Sequence, residues 1–401
     1  MLRRVFTAFQ YRDFRLLWLG ACTSSIGTWM QKLAQSWLVL QISGSPFLLG
    51  LDSFLGEIPI FLFSLVGGVI ADRYDRRSLL VASQCVQMSC AFLLTGLIAF
   101  RVVEVWHILV LSFVVGTAQA FGGPAYQALV PSLVEPKDLS NAIALNSIQF
   151  NLARVIGPVL GGLALTWLGA AWCFGLNGLS YVAVIISLLA LNVRYIPAGS
   201  HESILASMKE GLRFIHARST MQPLIVLAFL TTVLGIPLIV FLPVFARDVF
   251  HQGPSTYTLL LSTSGAGAVA GALLVAGLSH MRRQGRMALI MLSALGGLTA
   301  AFAMSKSLPL SCVLLWLAGV ALISVFAQVT SLVQALATDE MRGRVMSVYN
   351  VAFRGGMPFG SLITGSLVPV FSAPTVLAAN GLLLGCLGLY FLLIHRRVAA
   401  L

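Results

Sequence analysis

Five ionisable side chains stand inside long apolar runs of this 401-residue chain: Lys32, Asp52, Glu57, Arg154 and Arg354. A carboxylate in such a setting can carry a proton, because a low-dielectric medium favours its neutral form. Glu57, with Asp52 five residues before it, is the candidate for coupling to protons. An ammonium or guanidinium in the same setting attracts an anionic or oxygen-rich solute. Lys32, Arg154 and Arg354 are the candidates for lining a substrate cavity, with Gln35 about one turn beyond Lys32 as a polar neighbour. A second reading stays open beside this one. Lys32–Glu57 and Glu57–Arg354 can be ion pairs that tie helices together or hold one conformation. The two readings are compatible, since pairs that break and re-form accompany conformational switches.

The elements that hold these groups follow from composition. Only 9% of the residues are charged and 58% are hydrophobic, whereas soluble domains run near 25% charged. A water-soluble enzyme is excluded, and most of the surface must meet hydrocarbon. A spanning helix needs roughly 20 apolar residues. Twelve stretches qualify, at about 15–41, 47–71, 78–100, 105–130, 140–167, 170–192, 222–247, 256–279, 287–305, 308–336, 343–369 and 372–394. They are long and do not alternate, so they read as helices rather than barrel strands. At about 1.5 Å per residue, Lys32 lies roughly 25 Å from Arg15, Glu57 roughly 22 Å from Asp72, and Arg154 at a similar height in span five. Arg354 comes about 18 Å above Arg342. The four therefore share the middle to outer part of the membrane, and Asp52 lies nearer the outside.

The net charge of +12 raises the question of nucleic acid, and its distribution argues against it. With residue 1 in the cytoplasm, 19 Lys and Arg fall on the inside (Arg3, Arg4, Arg12, Arg15, Arg73, Arg76, Arg77, Lys137, Arg194, Lys209, Arg213, Arg218, Arg282, Arg283, Arg286, Arg342, Arg344, Arg396 and Arg397) and three outside (Arg101, Arg247 and Lys306). That is the positive-inside pattern, and it places both termini in the cytoplasm of a multi-pass protein. The first 15 residues hold four arginines and no short apolar region with a cleavage site, so span one is expected to be a retained anchor. The six cysteines all lie within spans without metal-ligand spacing and read as small apolar side chains.

The longest interruption is 193–221. Pro197 and Gly199 break the helix, and Ile204, Leu205, Met208, Leu212 and Ile215 then share one face, with Glu202, Lys209 and Arg213 elsewhere. This is an amphipathic helix on the cytoplasmic surface, linking two sets of six spans. The expected domains are 1–192, an N-terminal six-helix bundle; 193–221, the linker; and 222–401, the C-terminal bundle. An internal repeat supports the division. RVIGP (154–158) and RGGMP (354–358) each place Arg four residues before Pro, in spans five and eleven. GVIADRYDRR (68–77) matches GLSHMRRQGR (277–286) after spans two and eight. Both matches pair helices six apart, the sign of a parallel two-fold repeat.

The loop GVIADRYDRR resembles the signature between helices two and three of the major facilitator superfamily, with Gly68, Asp72, Arg73, Arg76 and Arg77 in the pattern and Asp75 where a glycine is common. In that loop Asp72 can face a helix N-terminus, and the arginines can meet carboxylates and lipid phosphates. GPVLGG (157–162), with Gly157, Pro158, Gly161 and Gly162, resembles the export-associated motif in helix five of antiporters; Ala153 and Ala144 stand where that motif has two further glycines. The run from Pro124 to Pro158 resembles the branch with enterobactin exporters and macrolide efflux proteins. The resemblance implies an all-α integral membrane fold of twelve transmembrane helices in two pseudo-symmetric six-helix bundles. It also implies a monomer in a bacterial cytoplasmic membrane. One departure bears on coupling: the superfamily's helix-four relay arginine is missing from span four.

Other signals are weak. GAGAVAG (265–271) looks like a nucleotide fingerprint but sits within a span, where close helix packing is its use. No Walker motif, HExxH or nucleophile–base pair occurs, and His107, His251 and His280 fall at span ends. No cofactor, metal or nucleic acid is expected. The expected function is a secondary transporter that exports an amphipathic, siderophore-like or drug-like molecule by alternating access, exchanged for protons. Membrane lipids are its surroundings, and a lipid flippase or macrolide exporter on the same fold are the alternatives.

Overall fold

The computed structural model describes residues 6–192, 204–277, 283–394 and 398–400, with side chains from residue 208 on in the second of these ranges. Among the described residues the regular elements are all helical. We number the long helices α1 Arg12–Ser43, α2 Pro46–Arg73, α3 Arg76–Ala99, α4 Val105–Leu129, α5 Leu139–Trp167, α6 Ala170–Leu189 and α7 Ile204–Ala217. Then come α8 Met221–Val249, α9 Pro254–Gly277, α10 Gln284–Met304, α11 Leu308–Leu336, α12 Arg342–Phe371 and α13 Ala373–Leu393. Pro237 and Pro243 break α8 into short turns, as missing amide donors require.

Ten of these helices are apolar enough to span by length and composition. The other two long ones, α1 and α12, hold 32 and 30 residues and carry Lys32 and Arg354. At about 1.5 Å per residue either exceeds the ~30 Å hydrocarbon core, and they bring the spanning helices to the expected twelve. Large apolar side chains face outwards throughout, among them Leu62, Phe100, Trp106, Trp167 and Trp172. Trp106, Trp167 and Trp172 stand at the ends of α4, α5 and α6, where indoles mark the membrane–water interface.

The chain divides into two compact units, Met1–Ser43 with Leu55–His201, and Gly44–Phe54 with Glu202–Leu401. In the first unit Phe14, Leu17, Leu80, Leu129, Leu145 and Leu188 belong to one buried cluster. In the second, the Phe245 and Phe302 rings pack at a tilt with 4.8 Å between centroids. The opening turns of α2 pack with the second unit, where Ser53 Oγ donates to Ser361 Oγ at 3.0 Å.

The helix expected in the linker is α7, and it lies against the start of α12. Gly211 sits close to the Arg344 carbonyl, Ile215 is buried, and Glu210 pairs with Arg344 at 2.5 Å. Lys209, Leu212 and Arg213 are exposed. Pro197, Gly199 and Glu202 lie outside the described residues, as do Arg3, Arg4, Arg194, His280, Arg282, Arg396, Arg397 and most of the repeat loop after α9. The GAGAVAG segment is a packing face of α9: added Cβ atoms at Gly267 and Gly271 would run into the Trp316 and Val320 carbonyls of α11.

Candidate functional site

The candidate site of the first unit is carried by α1, α2 and α5. Lys32 Nζ on α1 lies 3.7 Å from Glu57 Oε1 on α2. The Lys32 side chain is 59% exposed and that of Glu57 21%. The ammonium is therefore open on the face of the unit that carries Glu57.

Trp29, one turn before Lys32, joins α1 to α5. Lys32 Nζ lies 5.5 Å from the indole centroid and Arg154 Cζ 5.8 Å from it, both within cation–π range. The Phe150 ring meets the indole edge-on at 6.2 Å. Phe150, Arg154, Gly157 and Gly161 follow one another at helical spacing, so they share the face of α5 that meets α1. A Cβ at Gly157 would collide with the Trp29 side chain and stand 2.8 Å from the Ile26 carbonyl oxygen; one at Gly161 would stand 2.9 Å from Met30 Cα. Gly157, Pro158, Gly161 and Gly162 are all buried.

Gln35, expected as a cavity neighbour, donates to Ser112 Oγ on α4 at 2.9 Å. Two other spanning amides of the first unit tie helices together. Gln31 accepts from Asn177 at 2.6 Å, and Gln149 donates to Ser25 at 2.7 Å and to the Ala21 carbonyl at 3.1 Å. Asp52 is buried in the part of α2 that belongs to the second unit, while Glu57 belongs to the first. Five positions along α2, about 140° around the helix, lie between them. Arg354 is exposed on α12 of the second unit.

The loop between α2 and α3 is built differently from expectation. Asp72 lies in the last turn of α2 and pairs with Arg76 at 3.6 Å. Asp75, the departure from the superfamily pattern, is the residue that caps α3: its carboxylate accepts from the Ser78 amide at 3.0 Å and the Arg77 amide at 3.4 Å. Only the residue immediately before a helix, off helical geometry, can do so. Arg76 donates to the Ala128 carbonyl at 3.0 Å, and Arg77 to those of Leu189 and Leu191 at 2.6 and 3.0 Å. These arginines satisfy helix-end carbonyls that lack partners. Space around Gly68 is open, and Arg73 ends α2.

Sequence reasoning missed Trp29. Its signal was faint: an indole one turn from Lys32 is ordinary in a spanning helix until α5 brings Arg154 to the same ring.

The family described as transmembrane secretion effector matches residues 4–399. The staphyloferrin A transporter of Staphylococcus aureus is 23% identical over 381 residues, covering 93% of this chain and 94% of its own. The enterobactin exporter EntS of Shigella boydii is 26% identical over 397 residues, covering 95% and 91%. Among solved structures, a POT family transporter in complex with 5-aminolevulinic acid superposes with a TM-score of 0.77 at 11% identity, covering 96% of each chain. The nucleoside transporter NupG gives 0.73 at 13%, covering 96% of this chain and 99% of its own. At such identities these structures speak for the fold alone. A chain of twelve spanning helices, matched end to end by that family, is a multi-pass membrane transporter and not an enzyme; it belongs to the transmembrane secretion effector family of the major facilitator superfamily.

Proposed function

We propose that this chain is a secondary transporter that exports a siderophore-like, anionic or oxygen-rich small molecule across a bacterial cytoplasmic membrane in exchange for protons. The observation that carries the reading is the Lys32–Glu57 pair, an exposed ammonium 3.7 Å from a largely covered carboxylate on two spanning helices. Glu57 carries the coupling proton. Protonation releases Lys32, and deprotonation restores the pair, so the two states differ in contacts as alternating access requires. Within the first unit Arg154 draws the substrate; in the second unit Arg354 is the cationic candidate and Asp52 the second acidic one. The names of the two relatives, a staphyloferrin A transporter and an enterobactin exporter, support the substrate class and, in the second case, the direction.

The test uses inside-out vesicles with an acidified lumen and a pH-sensitive dye. A siderophore added outside should dissipate the gradient with the natural chain and leave it intact with Glu57→Gln. A labelled siderophore that crosses with no proton movement would remove proton exchange. Lysolipid that crosses where siderophores do not would replace the reading with a flippase.

A further inference from the structure

Within the first unit, Arg154 and Lys32 both converge on one indole, and only Lys32 stands beside a carboxylate. Among the described residues Arg154 makes no ion pair and donates no hydrogen bond; its contact is the face of Trp29. Lys32, Arg154 and Glu57 sum to one positive charge. Two cations on one ring at membrane depth repel each other, and a single carboxylate leaves the group one negative charge short. A guanidinium held 5.8 Å from an indole by cation–π attraction spends none of its N–H donors on that contact, and its fork matches the two oxygens of a carboxylate.

From this we infer that Trp29 is the specificity-determining residue of the site, holding Arg154 and Lys32 as a two-pronged receptor for a carboxylate-bearing anion. The inference rests on the transport reading for its purpose and names the ligand class of that same site. It also gives the helix-five glycines a definite task. Gly157 and Gly161 let α5 approach α1 until the Trp29 ring reaches Arg154 on one side and meets Phe150 edge-on. Larger residues at either position would separate the guanidinium from the ring. The ligand carboxylate takes the Arg154 fork, while Lys32, 5.5 Å from the same ring and close to Glu57, contributes charge. A neutral ligand of the same shape leaves the charge imbalance in place and gains nothing there.

The purified full-length chain in detergent tests this with three probes: citrate, its uncharged trimethyl ester, and inorganic phosphate. Ligand-dependent thermal stabilisation reports binding to the folded state. Citrate should stabilise the natural chain, with the ester and phosphate much weaker. Trp29→Leu should weaken citrate about tenfold, and Trp29→Phe should fall between, because a phenyl ring holds a cation less well than an indole. Arg154→Lys keeps the charge and removes the fork, and should also lose about tenfold. The inference is overturned if citrate fails to bind the natural chain, if ester or phosphate binds as well as citrate, or if a folded Trp29→Leu or Arg154→Lys chain binds citrate normally. Transport is read separately in vesicles. A chain that binds citrate through Trp29 but carries no siderophore keeps the receptor and loses the export reading. Siderophore export at full rate by Trp29→Leu keeps export and removes the receptor.

Discussion

At the scale of single residues, the Lys32–Glu57 pair invites a choice between holding the fold and working for it. Its exposure argues against a large share in stability. With the Lys32 side chain 59% exposed, water screens the pair, and pairs of that kind contribute about 0–1 kcal/mol. Glu57→Gln should therefore shift thermal unfolding by only a few degrees while abolishing proton exchange; a collapse of the folded state would mark the pair as structural instead. Asp75 is the opposite case. Burial opposes ionisation of its carboxyl, but bonds from Ser78 and from the Ser78 and Arg77 amides outweigh it and hold the group below its ordinary value. A depressed carboxyl adds stability that is present above its unfolded value and fades as pH falls through the folded one. Asp75→Ala should cost about 1 kcal/mol near neutral pH, and the difference from the natural chain should shrink below about pH 4, read by thermal melts across pH. Lys32, Glu57, Arg154 and Arg354 were all legible in the sequence, because a charge inside an apolar run needs no partner to be noticed. Trp29 and Asp75 were not: the role of the first depends on a contact 125 residues away in sequence, and that of the second on where α3 starts.

At the scale of elements, small residues set how near the helices come. Gly157 and Gly161 bring α5 onto α1, and in the second unit Gly356 and Gly360 bring α12 onto α8 in the same way, against Phe229, Thr232 and Val233. These are spans one and five, and seven and eleven, so the repeat seen in RVIGP and RGGMP extends to helix packing. The register does not. Aligned on arginine and proline, the contact glycines of α12 fall one position earlier than those of α5. Sequence spacing reveals a repeated helix but not which face touches its neighbour, since one residue of slip turns a helix by about 100°. Gly157→Ala meets backbone at Ile26 that cannot yield without moving a helix, so it should cost roughly 1–3 kcal/mol. Gly68→Ala enters open space and should leave the melting temperature unchanged. Parallel thermal melts of the two variants check the pair, and equal losses would contradict the packing assigned to Gly157.

At the scale of the whole molecule, the fold was legible almost entirely from hydropathy, because hydrocarbon permits so few ways of satisfying the backbone. The weakest signals fell on α1 and α12, whose polar residues dilute the apolar pattern in the places where Lys32 and Arg354 stand. Orientation rests on a separate physical basis, the 19 basic residues expected inside against three outside. If the rule governs this chain, single cysteines placed at Arg101, Arg247 and Lys306 face the periplasm, and those placed at Lys137 and Arg342 face the cytoplasm. An impermeant maleimide applied to intact cells should label the first set, and label the second only after the membrane is opened. The result bears on the height of the site. Lys32 and Glu57 sit well above Arg15 and Asp72 along their helices, so with Arg15 in the cytoplasm these charges stand in the middle to outer part of the membrane. Labelling of Lys137→Cys in intact cells would contradict the expected orientation and put the same charges nearer the cytoplasm.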